Sequence, residues 1–100
     1  YLYLDYPTLE REREIVLSRV PGIAERLADE IVRIVRLLRS LDLQKHPSIS
    51  ETLDWARTLV LLGAEHADVA TTTGTLNLLL KFKNDIDLAR RELETAAPRA

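Results

Sequence analysis

The chain has 100 residues, one domain's worth, and its 46% apolar and 30% charged composition excludes a disordered tail. A net charge of −2, from 14 basic and 16 acidic residues, argues against a dedicated nucleic-acid surface, which shows as a basic excess. The absence of Cys excludes disulfides, thiolate catalysis and Cys-type zinc sites, and no apolar run approaches the length of a membrane span. No signal-peptide pattern opens the chain.

Residues 1–7, Tyr1-Leu2-Tyr3-Leu4-Asp5-Tyr6-Pro7, are rich in strand-favouring aromatics and apolar on both faces. No second strand pattern follows, so this segment reads either as a strand pairing with protein beyond this chain or as a frayed arm. All three Tyr fall within it and Met is absent throughout. The expectation is a chain cut from something longer, with the orphan strand at its start.

The remainder reads as helices. Thr8 is the N-cap of a first helix that runs to about Val20 and stops at Pro21-Gly22, a breaker pair. Ile23 to about Leu41 carries the strongest pattern. Ala24, Leu27, Ala28, Ile31, Ile34, Val35, Leu38 and Leu41 fall on one face, with Asp29 and Arg33 as an outer i,i+4 pair. Asp42 to Pro47 is a polar loop. Ser48-Ile49-Ser50-Glu51 matches a capping box, so a third helix starts at Ile49, buries Ile49, Leu53, Ala56, Leu59 and Val60, and ends at Gly63. Thr71 to Gly74 are poor helix formers, which leaves either a late start near Thr75 or a helix held by packing. Leu76, Leu79, Leu80 and Phe82 share a face, Asn84-Asp85 is a candidate break, and Ile86, Ala89 and Leu93 carry the spacing to about Glu94. Residues 96–100 read as a frayed tail. The fold class is all-α: a small four- to five-helix bundle over 8–95, preceded by a strand-like segment.

Candidate chemistry is sparse. His46 and His66 stand alone in polar loops, away from metal spacing, and read as exposed. Phosphate loops and nucleophile elbows are missing. Asp85 with Asp87, and Glu10, Glu12 and Glu14, sit among Arg and Lys at helix-surface spacing and read as solvated faces. The alternating run Glu10 to Glu14 could also meet a neighbouring subunit. Trp55, the only Trp, lies beside the inner face of the third helix rather than at its centre. It reads either as a core-edge aromatic or as an interface anchor. The chain offers no catalytic residues and no metal site of its own.

Two blocks carry a family resemblance. Tyr6-Pro7-Thr8-Leu9-Glu10-Arg11-Glu12-Arg13-Glu14-Ile15-Val16 looks like the junction between core and lid in MoxR-type AAA+ ATPases. Leu41-Asp42-Leu43 with Pro47-Ser48-Ile49-Ser50-Glu51-Thr52-Leu53-Asp54-Trp55-Ala56-Arg57 is similar to the lid of one MoxR branch. The resemblance spans nearly the whole chain. It implies a C-terminal helical lid that closes over Mg-ATP on a nucleotide-binding core in cis, whose last strand would hold residues 1–7. It further implies a cytoplasmic ring oligomer that remodels other proteins, among them partners carrying a von Willebrand A domain, with neither nucleic acid nor membrane involved. The parent would be an ATPase, while the isolated chain would bind no cofactor. The second-sensor Arg of many such lids has no counterpart at Ile49-Ser50-Glu51, and Arg57 lies two turns further on. By position, Ser48 and Ser50 are the residues the resemblance would bring to the nucleotide. The alternative is a stand-alone helical interaction module without catalysis. A helical DNA-binding domain, using Arg33, Arg36 and Arg39, ranks last because Glu25, Asp29 and Glu30 share that helix.

Overall fold

The computed structural model describes residues 6–96, so the strand-like reading of residues 1–5 and the frayed-tail reading of 97–100 lie outside the described residues. Five helices follow in order: α1 (Leu9–Arg19), α2 (Glu25–Arg39), α3 (Ile49–Leu61), α4 (Val69–Gly74) and α5 (Lys83–Ala96), with a 3-10 turn at Leu76–Leu78 between the last two. No strand occurs among the described residues.

Local chemistry sets most boundaries. Thr8 Oγ1 accepts the Arg11 N–H at 3.1 Å and caps α1. The helix ends where Ile23 N–H bonds to Val20 C=O across Pro21-Gly22, with Gly22 at φ +83°. Pro in second place and a positive-φ Gly in third is the chemistry of a type II turn. The reciprocal capping box opens α3: Ser48 Oγ accepts the Glu51 N–H at 3.2 Å, and Glu51 Oε1 accepts the Ser48 N–H at 2.9 Å. At the other end, Ala64 N–H bonds to Leu59 C=O and Gly63 N–H to Val60 C=O, with Gly63 at φ +74°. That pair of bonds is a Schellman motif and needs a left-handed residue at Gly63. A Cβ there would meet nothing within 4 Å, so the penalty for Gly63→Ala is conformational alone. It should cost about 1–2 kcal/mol, read as a fall in Tm of about 4–8 °C per kcal/mol on thermal denaturation.

The Thr-rich stretch is helical from Val69, held by packing and a cap rather than started late at Thr75. Asp68 accepts the Thr71 N–H at 2.7 Å, and the buried Thr72 hydroxyl donates to Ala67 C=O at 3.3 Å. Leu76, Leu79 and Leu80 are buried as expected, but Phe82 is half exposed. The 3-10 turn, at about three residues per turn, ends the α-helical spacing that would align Phe82 with Leu76 and Leu79. Asn84-Asp85 does not break a helix; it lies in the first turn of α5, which runs on to bury Ala89 and Leu93.

The core forms where α1 packs on α2 and α3 packs against both, while α4, the 3-10 turn and α5 pack together and join α3 through that turn. Leu27, Ala28, Ile31, Val32, Val35 and Leu38 form the buried stripe of α2, with Ala24 exposed and Ile34 and Leu41 only partly covered. Asp29 pairs with Arg13 of α1 rather than with Arg33. Trp55 is not at the core's edge. It is fully buried, and its Nε1–H donates to Thr75 Oγ1 at 2.8 Å, which fixes α3 to the end of α4.

Candidate functional site

The strongest polar feature lies where α1, the C-terminal end of α2 and the start of α3 meet. Glu12 is fully buried, which corrects the reading of Glu10, Glu12 and Glu14 as one solvated face. Arg39 Nη1 and Nη2 donate to Glu12 Oε1 and Oε2, each at 2.7 Å, a bidentate pair that a planar guanidinium makes well. Arg39 Nε donates to Pro47 C=O at 3.0 Å, and its guanidinium lies 4.0 Å from the centre of the Tyr6 ring. Arg36 Nη1 donates to Pro7 C=O at 3.1 Å. The segment entering α1, the end of α2 and the loop before α3 are thereby tied through one guanidinium. Spacing held a signal: Glu12 lies i,i+4 from Val16 and i,i+8 from Val20 on the buried face of α1, and Arg39 follows Val35 by four on the stripe of α2.

Asp85, expected on a solvated face with Asp87, is buried instead. Its carboxylate accepts the N–H groups of Gln44 and Lys45 at 2.8 and 3.1 Å, so the first turn of α5 pins the loop before α3. His46 is partly covered, with Nε2 2.8 Å from Leu41 C=O. His66 is exposed and meets Glu30, which also accepts the Ala67 N–H.

Of the two serines the resemblance points to, Ser48 is engaged in the capping box, and its hydroxyl also donates to Glu51 Oε1 at 3.2 Å. Ser50 is exposed in the first turn of α3. Lys81 lies 3.4 Å and Lys45 3.9 Å from the Glu51 carboxylate. Burial disfavours the Glu51 charge, but the Ser48 N–H, Lys45 and Lys81 outweigh it and hold Glu51 below the ordinary carboxylate range. A carboxyl with a depressed native pKa adds stability above its unfolded value, about 4.5, and loses it as pH falls through the native one. Glu51→Gln is therefore expected to unfold at lower urea than the parent at pH 7. That gap should narrow steadily in denaturation curves taken from pH 5 down to pH 2.

The first turn of α3 thus presents backbone amides and the positive end of a helix dipole beside two lysines that share one carboxylate. Among the described residues no group of three or more His, Asp or Glu is placed to hold a metal ion, and no buried side-chain N or O lacks a hydrogen-bond partner. No helix among them is long and apolar enough to cross a membrane. Comparison of the chain with protein-family models, with curated proteins and with solved structures finds no match.

Proposed function

We propose that the chain is the C-terminal lid of a MoxR-type AAA+ ATPase. In this reading it closes over Mg-ATP held by a core in cis and couples hydrolysis to the remodelling of partner proteins, such as those with a von Willebrand A domain, from within a ring of subunits. The observation that carries the reading is the convergence of the two resembling blocks on Arg39. Tyr6 and Glu12 come from the first block and Pro47 from the second, and the same guanidinium engages all three. A lid needs such a tie, because motion delivered through the segment before α1 has to reach the helix end that would face the nucleotide. There the exposed Ser50 offers a hydroxyl, and the N-terminus of α3 with Lys45 and Lys81, offset in part by the Glu51 carboxylate they share, offers positive potential without a second-sensor Arg. The DNA-binding reading loses support, since Arg36 and Arg39 already bond within the chain.

The test is made on the full protein that contains this chain. It should carry a G-x-x-x-x-G-K-[ST] loop upstream and hydrolyse ATP, and Ser50→Ala should weaken Mg-ATP binding without changing the fold. No upstream loop and no hydrolysis sinks the lid reading. Hydrolysis with unaltered nucleotide affinity in Ser50→Ala sinks only the Ser50 contact. The second reading, a stand-alone interaction module, draws on the exposed Leu61 and Leu62 at the opposite end of α3.

A further inference from the structure

Asp85 is a buried carboxylate that is held without a cation. It is 3% exposed, and no lysine or arginine among the described residues lies within 4.0 Å of it. The nearby lysines are engaged elsewhere: Lys45 and Lys81 with Glu51, and Lys83 with Asp87. Burying an ionised carboxylate is costly unless hydrogen bonds replace its water. Two successive backbone amides do so, one on each oxygen. Gln44 N–H donates to Oδ1 at 2.8 Å and Lys45 N–H to Oδ2 at 3.1 Å.

These bonds close a ring across three elements. From the loop, the Lys45 ammonium lies 3.9 Å from Glu51 Oε1 in the first turn of α3. Lys81, four residues before Asp85, lies 3.4 Å from the other oxygen, Oε2. The segment from Lys81 to Asp85 therefore grips the entry of α3 twice, once through its lysine and once through the loop. That segment is itself fixed. Leu79 and Leu80 are buried before it, and Ile86 N–H donates to Phe82 C=O at 3.0 Å as α5 begins. The loop has other anchors at its ends: Leu43 is buried, His46 Nε2 lies 2.8 Å from Leu41 C=O, and Arg39 Nε holds Pro47 C=O. Its middle, Gln44-Lys45, is held by Asp85.

We propose that Asp85 is a positioning residue for the entry of α3: from the first turn of α5 it fixes the Gln44-Lys45 backbone, and that backbone keeps the Lys45 ammonium on Glu51. The charge beside the first turn of α3 is thereby set from α5. An ionised carboxylate accepts on both oxygens. An amide or a protonated carboxyl offers one acceptor and one donor, and a donor facing an N–H makes no bond. Neutralising Asp85 thus releases one of the two loop amides and lets Lys45 leave Glu51. The use of this charge on a nucleotide phosphate rests on the lid reading, whereas the positioning itself does not.

The first test reads the Glu51 carboxyl in the 100-residue chain by carbon-13 NMR as the pH is lowered. Burial raises its midpoint, while the Ser48 N–H, Lys45 from the loop and Lys81 from the approach to α5 lower it. Asp85→Asn and Lys45→Ala should each raise the midpoint toward the ordinary carboxylate value. The double variant should raise it no further than Lys45→Ala, because both changes remove the same ammonium. A midpoint unmoved by Asp85→Asn, or rises that add in the double variant, overturns the proposal. The parent chain supplies a readout that needs no variant: on acidification the Gln44 and Lys45 amide protons should shift in step with the Asp85 carboxyl carbon. Amides that do not follow Asp85 overturn it too. In the full protein, Asp85→Asn and Lys45→Ala should weaken Mg-ATP binding by the same factor, about two- to fivefold, the worth of one exposed ion pair. Weaker binding in Lys45→Ala but not in Asp85→Asn overturns the positioning and leaves the lid reading standing. Unaltered affinity in both overturns the use of this charge on phosphate. A full protein that binds no Mg-ATP overturns the lid reading, and the Glu51 midpoint still decides the positioning.

Discussion

Arg39→Ala is expected to destabilise the fold by about 3–5 kcal/mol, because it strips the fully buried Glu12 carboxylate of the guanidinium that hydrogen-bonds both its oxygens. Arg36, 3.9 Å from Glu12 Oε1, is too exposed to replace it. Against the roughly 5–15 kcal/mol that holds a domain of this kind together, that loss brings the chain near the folding threshold. Arg39→Lys should recover little of it. An ammonium cannot bridge both carboxylate oxygens, reach Pro47 C=O and stack on Tyr6 at once. The double variant Glu12→Leu with Arg39→Met should regain most of the loss, since removing both charges removes the desolvation penalty as well. Urea denaturation of Glu12→Leu, of Arg39→Met and of the double variant completes the cycle. Additive losses would mean that Glu12 and Arg39 contribute independently and that the pair is not what holds the three segments together.

Trp55→Ala is the second large effect, at about 3–5 kcal/mol. The indole is fully buried at the contact between α3 and the 3-10 turn, where no smaller residue fills the space. Trp55→Phe keeps most of the apolar volume and loses the bond to Thr75, so its cost should be nearer 1–2 kcal/mol, about a net hydrogen bond plus a small void. Thr75→Val leaves the indole N–H buried without an acceptor and should cost about 1–3 kcal/mol. As the sole Trp, Trp55 also reports on itself. Its emission should be blue-shifted in the native chain and move to the red in a single transition with the far-UV signal. An emission maximum like that of free Trp in the native state would contradict the burial.

The helices and most of their ends were legible from residues that act locally. Thr8, Pro21-Gly22, the Ser48–Glu51 box and Gly63 each bond within a few positions of themselves, so a short window of sequence contains donor, acceptor and backbone preference together. The stripe of α2 was legible for the same reason, since its period is written in consecutive residues. Asp68 is a local signal of the same kind, an N-cap residue three before Thr71, which the sequence analysis did not use and which would have favoured the helix start at Val69.

The polar interior was decided elsewhere. Glu12 meets Arg39 across 27 positions, Asp85 meets Gln44 across 41, and Trp55 meets Thr75 across 20. A carboxylate at helix-surface spacing looks the same in sequence whether it faces water or a guanidinium. Its burial depends on which helix lies opposite and at what height, which only the assembled bundle fixes. By itself the sequence determined the helical make-up of the described residues and most of the places where those helices start and stop, because capping and periodicity are short-range. The tertiary structure alone turned two expected surface carboxylates into internal ties and moved Trp55 from the edge of the core to its interior, because desolvation and ion pairing act through space.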